Sequence, residues 1–420
     1  MRRHNSLDLF AGAAALLAAL IVGNRTASAG EVDAQDFTTV DRGRYLSILS
    51  DCASCHTVPQ KNLPFAGGRP IETPFGPIVA PNITPDMATG IGSWTDDQFD
   101  NAVRKGIGRN GERLYPAMPY NAYTKMSRKD VLAIRAYLNP VTAVYNPVVA
   151  NTLPFPFNIR ASMRVWNALY FKEGEYVSDP QKSVEWNRGA FLVDGPAHCG
   201  ACHTPKTFLG GDKASSYLQG SLLQGWSAPN LTNDPRTGLG GWSVDEVTVY
   251  LKTGHNRITA ATGPMAEAVD LSTSKMRDDD VRAIATYLKS LPGQGTAPAP
   301  VSGSAPEMKA GGAIYRDQCS ACHGLDGKGI DRLFPAVASS SLARADDTTS
   351  VIRIVLRGAR SVATEKEPTG PGMPSYGWQL NDSQIADVLT YIRNSWGNAS
   401  PAISSDEVAR LRASLAKRSD

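Results

Sequence analysis

The sequence predicts an all-α protein assembled from three tandem copies of one small helical unit. Three observations predict it. Six cysteines fall into three identical C-x-x-C-H runs, flanking landmarks recur at a near-constant offset, and a helical stretch with an apolar stripe closes each copy.

The runs are Cys52-Ala53-Ser54-Cys55-His56, Cys199-Gly200-Ala201-Cys202-His203 and Cys319-Ser320-Ala321-Cys322-His323, and they use every cysteine in the chain. C-x-x-C-H is the attachment signal for c-type haem. Two thiols about one helical turn apart can add across the two vinyl groups of one porphyrin, and the next histidine then supplies an imidazole to the iron. A zinc half-site would not require a histidine after every second cysteine. A disulfide framework would not pair every cysteine at the same short spacing. The pattern therefore implies three covalently bound haem c groups, attached at Cys52, Cys55, Cys199, Cys202, Cys319 and Cys322 and ligated at His56, His203 and His323.

The repeat is wider than the motif. Ala80-Pro81-Asn82-Ile83-Thr84 and the Gly90-to-Trp94 segment reappear as Ala228-Pro229-Asn230-Leu231-Thr232 and Gly238-to-Trp242, with His56 and His203 147 residues apart and Trp94 and Trp242 148 apart. The third copy is more compact. A glycine leads into each motif (Gly43, Gly189, Gly312), and each copy closes with an aromatic-aliphatic pair: Tyr137-Leu138, Tyr287-Leu288 or Tyr391-Ile392. Glycine on the leading helix lets the closing helix approach closely.

On these residues each segment resembles a class I cytochrome c domain. The resemblance implies three tandem domains of that all-α class, each covalently binding one haem c. It also implies that Pro81, Pro229 and Pro335 offer a carbonyl to the second ring nitrogen of each proximal histidine. In Phe334-Pro335-Ala336-Val337 the asparagine of the other two copies is missing, so only the proline carries over. The expected boundaries are a leader at 1–29, domains at 30–139, 180–291 and 307–398, a crossover at 140–179, a tether at 292–306 and a tail at 399–420.

A thioether is the expected sixth iron ligand, and each copy offers one in a proline-rich setting: Met118, Met265 and Met373, at 62, 62 and 50 residues from the proximal histidine. Met126 and Met276 also recur, but each precedes a polar helix start, where an apolar residue staples the helix. Neither His198 nor His255 is assigned a ligand role. His255 is expected to cap a helix or face solvent. Gly106-Ile107-Gly108-Arg109-Asn110-Gly111 spells a dinucleotide fingerprint, but it follows a helical stretch rather than a strand and reads as a turn.

Arg2 and Arg3, the apolar run from Leu9 to Val22 and Ala27-Ser28-Ala29 read as an export signal. Its removal takes Arg2, Arg3 and Arg25 with Asp8, so the net charge of +3 falls to +1. Such a chain carries no electrostatic footprint for nucleic acid. The crossover, rich in proline and aromatics, is expected to pack on the domain faces. The Gly/Pro-rich stretch 292–306 reads as a flexible tether that leaves the third domain the more mobile unit. A short amphipathic helix is expected in the tail, with Val408, Leu411 and Leu415 on one side.

No constellation for hydrolytic or phosphoryl chemistry stands out, and no catalytic residue is expected. From domain order, the two APN-to-GW segments and Leu153-Pro154-Phe155-Pro156-Phe157-Asn158-Ile159-Arg160, the mature chain resembles the cytochrome c subunits of bacterial periplasmic, membrane-associated dehydrogenases. That resemblance implies a partner catalytic subunit (quinoprotein, flavoprotein or molybdenum hydroxylase) and ubiquinone or a terminal oxidase as acceptor. It also implies peripheral association with the outer face of the cytoplasmic membrane. A free-standing periplasmic carrier, a haem peroxidase and an oxidase subunit are the alternatives.

Overall fold

The computed structural model describes residues 36–293 and 295–418, so the leader read at 1–29 lies outside the described residues. Helices dominate and sheet is sparse. Each repeat begins with a helix that leads into its motif: Phe37–Leu49, Val184–Asp194 and Pro306–Ile314, the last running on as a π turn, Tyr315–Cys319. Each repeat ends with a closing helix: Arg128–Leu138, Asp278–Ser290 and Asp382–Arg393.

Leading and closing helices pack together in every repeat, and glycine permits it. A Cβ on Gly43 would overlap the carbonyl oxygen of Ala133, one on Gly189 that of Ala283, and one on Gly311 that of Asp387. Any side chain there would force the helices apart. In the third repeat the structure therefore corrects the reading from Gly312 to Gly311. Gly312, rotated by about 100° along the helix, faces the ring of Tyr391 instead.

The middle helices are Asp96–Lys105, Val244–Thr253 and Thr349–Arg357. The first two share a capping box, Thr95 with Gln98 and Ser243 with Glu246, followed by acidic residues in the first turn. There the side chains satisfy orphan N–H groups and the negative charge suits the helix dipole. Both helices stop on a left-handed glycine, Gly106 and Gly254. The Gly106-to-Gly111 run is a turn, with Gly108 N–H bonded to Glu112 O and Gly111 N–H to Gly108 O.

Three two-stranded antiparallel hairpins complete the repeats: Pro70–Ile71 with Ile78–Val79, Ser221–Leu223 with Trp226–Ala228, and Ala359–Arg360 with Gly372–Met373. At two or three residues per strand they carry no periodicity that a sequence pattern could reveal.

One continuous apolar core runs through the first two repeats, from Leu46 and Leu49 to Ile284 and Leu288. The third repeat has its own core, to which the tail helix Ser405–Leu415 contributes Val408 and Leu415. The crossover bridges the first two repeats. Trp166 meets Tyr120 edge-on at 6.2 Å and donates its indole N–H to Leu209 O. The stretch 292–306 differs from a free tether. Gly295 N–H donates to the Asp234 carboxylate, and Val301 N–H donates to Asn394 Oδ1. Its Gly/Pro composition excludes regular structure, yet bonds from both neighbouring repeats lay it down.

Candidate functional site

Each C-x-x-C-H motif forms one short helical turn: Cys52–His56, Gly200–His203 and Ser320–His323. No two of the six cysteines are joined in a disulfide. Burial pushes Cys52 and Cys199 up to about 12, and Cys202 and Cys319 to about 11. A redox-active dithiol requires the opposite shift, toward thiolate. Among the described residues no three or more Cys, His, Asp or Glu side chains are grouped so as to hold a bare metal ion.

The three histidines share one environment. The Nδ1 of His56 lies 2.7 Å from Pro81 O, that of His203 2.7 Å from Pro229 O, and that of His323 2.9 Å from Pro335 O. A carbonyl can only accept, so Nδ1 carries the proton and the Nε2 lone pair is left for a metal. Burial lowers all three imidazoles below their ordinary value, which favours the neutral form that ligates. The bond implied by resemblance is thus present in all three repeats, including the one that lacks the asparagine.

A second clamp escaped the sequence. The carbonyl of each motif histidine accepts an N–H from a glycine: Gly67, Gly220 or Gly329. All three have positive φ (70°, 92° and 66°), and a Cβ there would press on the backbone bearing the proline carbonyl. These glycines stand 11, 17 and 6 residues after their histidines, so no common spacing announces them.

The three candidate methionines sit in different local structures. Met118 lies in a loop in which its N–H bonds Tyr115 O and its carbonyl accepts from Tyr120 N–H. The crossover buttresses that loop, with Tyr115 OH donating to Phe157 O and Arg160 over the Tyr115 ring at 4.7 Å. Met265 sits in the first turn of a helix, Gly263–Leu271, rather than in a rigid loop. Met373 lies in a hairpin strand opposite Ala359. Met126 and Met276 are fully buried, as helix-stapling residues should be.

The first two motifs lie near each other. Cys202 feels the charges of Cys55 and Asp51. Arg69 bridges the two repeats, its guanidinium held by Ser54 O and, at 2.8 Å, by Glu267. His198 turns its ring edge-on to Tyr123 at 5.6 Å, so it is an inter-repeat contact. His255 is neither a cap nor exposed: it is 2% exposed, because the third repeat covers it.

Two neighbouring cysteines and one imidazole whose Nε2 is left for a metal fit haem c. The family model described as cytochrome c matches residues 40–142, 187–292 and 308–396, each span holding one motif. Three such matches mean three covalently bound haem c groups. The chain is 39% identical over 415 residues to the gluconate 2-dehydrogenase cytochrome c subunit of Pantoea cypripedii, covering 94% of each protein. It is 39% identical over 402 residues to the fructose dehydrogenase cytochrome subunit of Gluconobacter japonicus, covering 89% of this chain and 83% of that one. The cytochrome c subunit of the quinone alcohol dehydrogenase of Gluconobacter oxydans is 36% identical over 422 residues, or 94% and 87%.

Proposed function

Since the chain belongs to the cytochrome c family, we propose that it is the electron-transfer subunit of a membrane-associated periplasmic dehydrogenase, relaying electrons from a catalytic subunit to ubiquinone or a terminal oxidase. The observation that carries this is the triple recurrence of a motif histidine tied through Nδ1 to a proline carbonyl. In this reading the chain is three tandem class I domains. Cys52 and Cys55, Cys199 and Cys202, and Cys319 and Cys322 each hold one porphyrin through thioethers. His56, His203 and His323 ligate iron on one side, and Met118, Met265 and Met373 on the other.

Haem c supplies a one-electron ferric/ferrous couple. The protein's part is to set ligands, exclude water and fix orientation. The proline carbonyls hold each imidazole in one tautomer and rotation. The glycine clamps fix the backbone from which it hangs. Arg69 and Glu267 lock the first two motifs side by side, which suits a relay longer than one domain.

No described helix is long and apolar enough to cross a membrane. A place at the outer face of the cytoplasmic membrane, reached after export, would then rest on peripheral contact and on the partner subunit. Two measurements test the reading. The mature protein should retain three haems per chain in a pyridine haemochrome assay after denaturation. Mild-detergent purification from native membranes should bring down a large dehydrogenase subunit. Fewer than three haems, or the cytochrome alone under gentle conditions, would count against it.

A further inference from the structure

We propose that the imidazole of His255 donates a hydrogen bond to a propionate carboxylate of the second haem, making it a haem-binding residue outside the C-x-x-C-H and methionine positions. The inference rests on the haem reading above and extends it to a new residue.

Position comes first. His255 directly follows Gly254, the left-handed stop of its middle helix. The same place after Gly106 and Gly358 is held by Ile107 and Ala359. In the third repeat that position pairs directly with Met373, the proposed iron ligand. In the second repeat His255 bridges to Ala260, and Ala261 N–H bonds Gly254 O at 2.7 Å. Ala261 then packs in one apolar cluster with Met265 and Ala266. The histidine thus stands on the turn that walls the methionine side of the second site.

The second observation is an unmet bond. Neither Nδ1 nor Nε2 of His255 has a partner, although the residue is 2% exposed. A neutral imidazole always presents one N–H, and leaving it buried and unpaired is destabilising. The polar neighbours are engaged elsewhere. Thr253 Oγ1 bonds the backbone N–H and carbonyl of His255 itself, and Asn256 bonds Glu246 O and two backbone N–H groups. Val362 and Thr364 of the third repeat close the outside through bonds to Ala261 and Thr253. Arg332, also from the third repeat, lies near enough for its positive charge to be felt at the ring. A buried donor in a positive setting calls for an anionic acceptor. A propionate is the carboxylate that haem carries into the protein with it.

A donor on the propionate withdraws negative charge from the porphyrin and so favours the reduced iron. Potentiometric titration of the three-haem protein tests this with two variants. His255→Phe keeps the bulk and removes the donor. It should lower the potential of one haem, shifting its reduced-to-oxidised ratio about fivefold at fixed poise. His255→Gln keeps an N–H and should restore most of that shift. The affected haem should be the one that Met265→Ala also moves, with three haems per chain and low-spin iron throughout. Unchanged potentials in His255→Phe would overturn the inference. So would equal shifts in both variants, which would indicate repacking, or a high-spin signal, which would make the ring an iron ligand. If the Phe variant does not accumulate, ring-15N NMR of the native protein decides, with His255→Gln for assignment: one N–H slow to exchange supports the bond, and rapid exchange overturns it. A wild-type haem count below three would instead defeat the underlying reading.

Discussion

The first and second repeats share one continuous apolar core, whereas the third meets the second through polar groups and one small apolar cluster of Ala261, Val269 and Val362. In the first junction Tyr45 OH donates to Asp280 at 2.6 Å, Ser272 donates to Ile48 O at 2.7 Å, and Arg277 lies over the Tyr45 ring at 4.7 Å. All three contacts rim one continuous core. In the second junction Ser227 N–H bonds Ser350 Oγ at 2.8 Å, Arg236 bonds Arg344 O at 2.7 Å and pairs with Asp346, and Arg353 stacks on Trp226 at 4.5 Å. Duplication shows how the first junction arose physically. Arg42 pairs with Asp130 inside the first repeat as Arg188 pairs with Asp280 inside the second. Only Asp280 is buried enough, with its side chain 2% exposed, to recruit Tyr45 from its neighbour. A shared core makes the first two repeats one cooperative body; a junction of polar groups and one small apolar cluster leaves the third with a core of its own.

The sharpest way to break that comparison is at the helix crossings. Gly189→Ala should destabilise by about 3 kcal/mol, because its methyl group meets backbone that cannot yield. Urea unfolding should then show the first two repeats melting together and earlier, with the third unmoved. Gly311→Ala should do the converse, and a single transition that moves in both variants would refute two bodies. Next in size, Met265→Ala should lower one of the three haem potentials by on the order of 100 mV and leave the others nearly unchanged. If all three stay put in a redox titration, Met265 is not a ligand.

Asp280→Asn should cost about 2 kcal/mol at neutral pH, since it uncouples Arg188 and Tyr45 from a buried carboxylate. Burial alone would raise this carboxyl, but the hydrogen bonds from Arg188 and Tyr45 outweigh it and hold it below the ordinary 3.8. Its stabilisation is therefore present above 3.8 and lost as pH falls through the depressed folded value. Stability curves of the native protein and the variant should converge in acid; a constant gap would show that the charge is not what matters. The smallest effect belongs to the second junction. Arg353→Ala should loosen it by about 1 kcal/mol, read as faster proteolysis within 292–306 with haem content unchanged.

Local chemistry was open to reading from the chain alone. Attaching a porphyrin requires two thiols and an imidazole at one short spacing, so Cys52-to-His56 and its two copies declare themselves wherever they fold. A helix that buries one face must repeat its apolar residues every three or four positions, so Val131, Ile134 and Leu138 mark the closing helix. The proline carbonyls followed from resemblance, on a position that recurs. What tertiary structure decided depends on segments that meet without any fixed separation in sequence. Gly67, Gly220 and Gly329 clamp their histidines from three different distances along the chain. Gly311 rather than Gly312 takes the crossing because one residue's rotation decides which Cα faces the partner. His255 looked like a surface residue near a helix end until the third repeat closed over it. Spacing along the chain encodes covalent attachment and helical period; which surfaces close on one another is settled only by packing between distant segments.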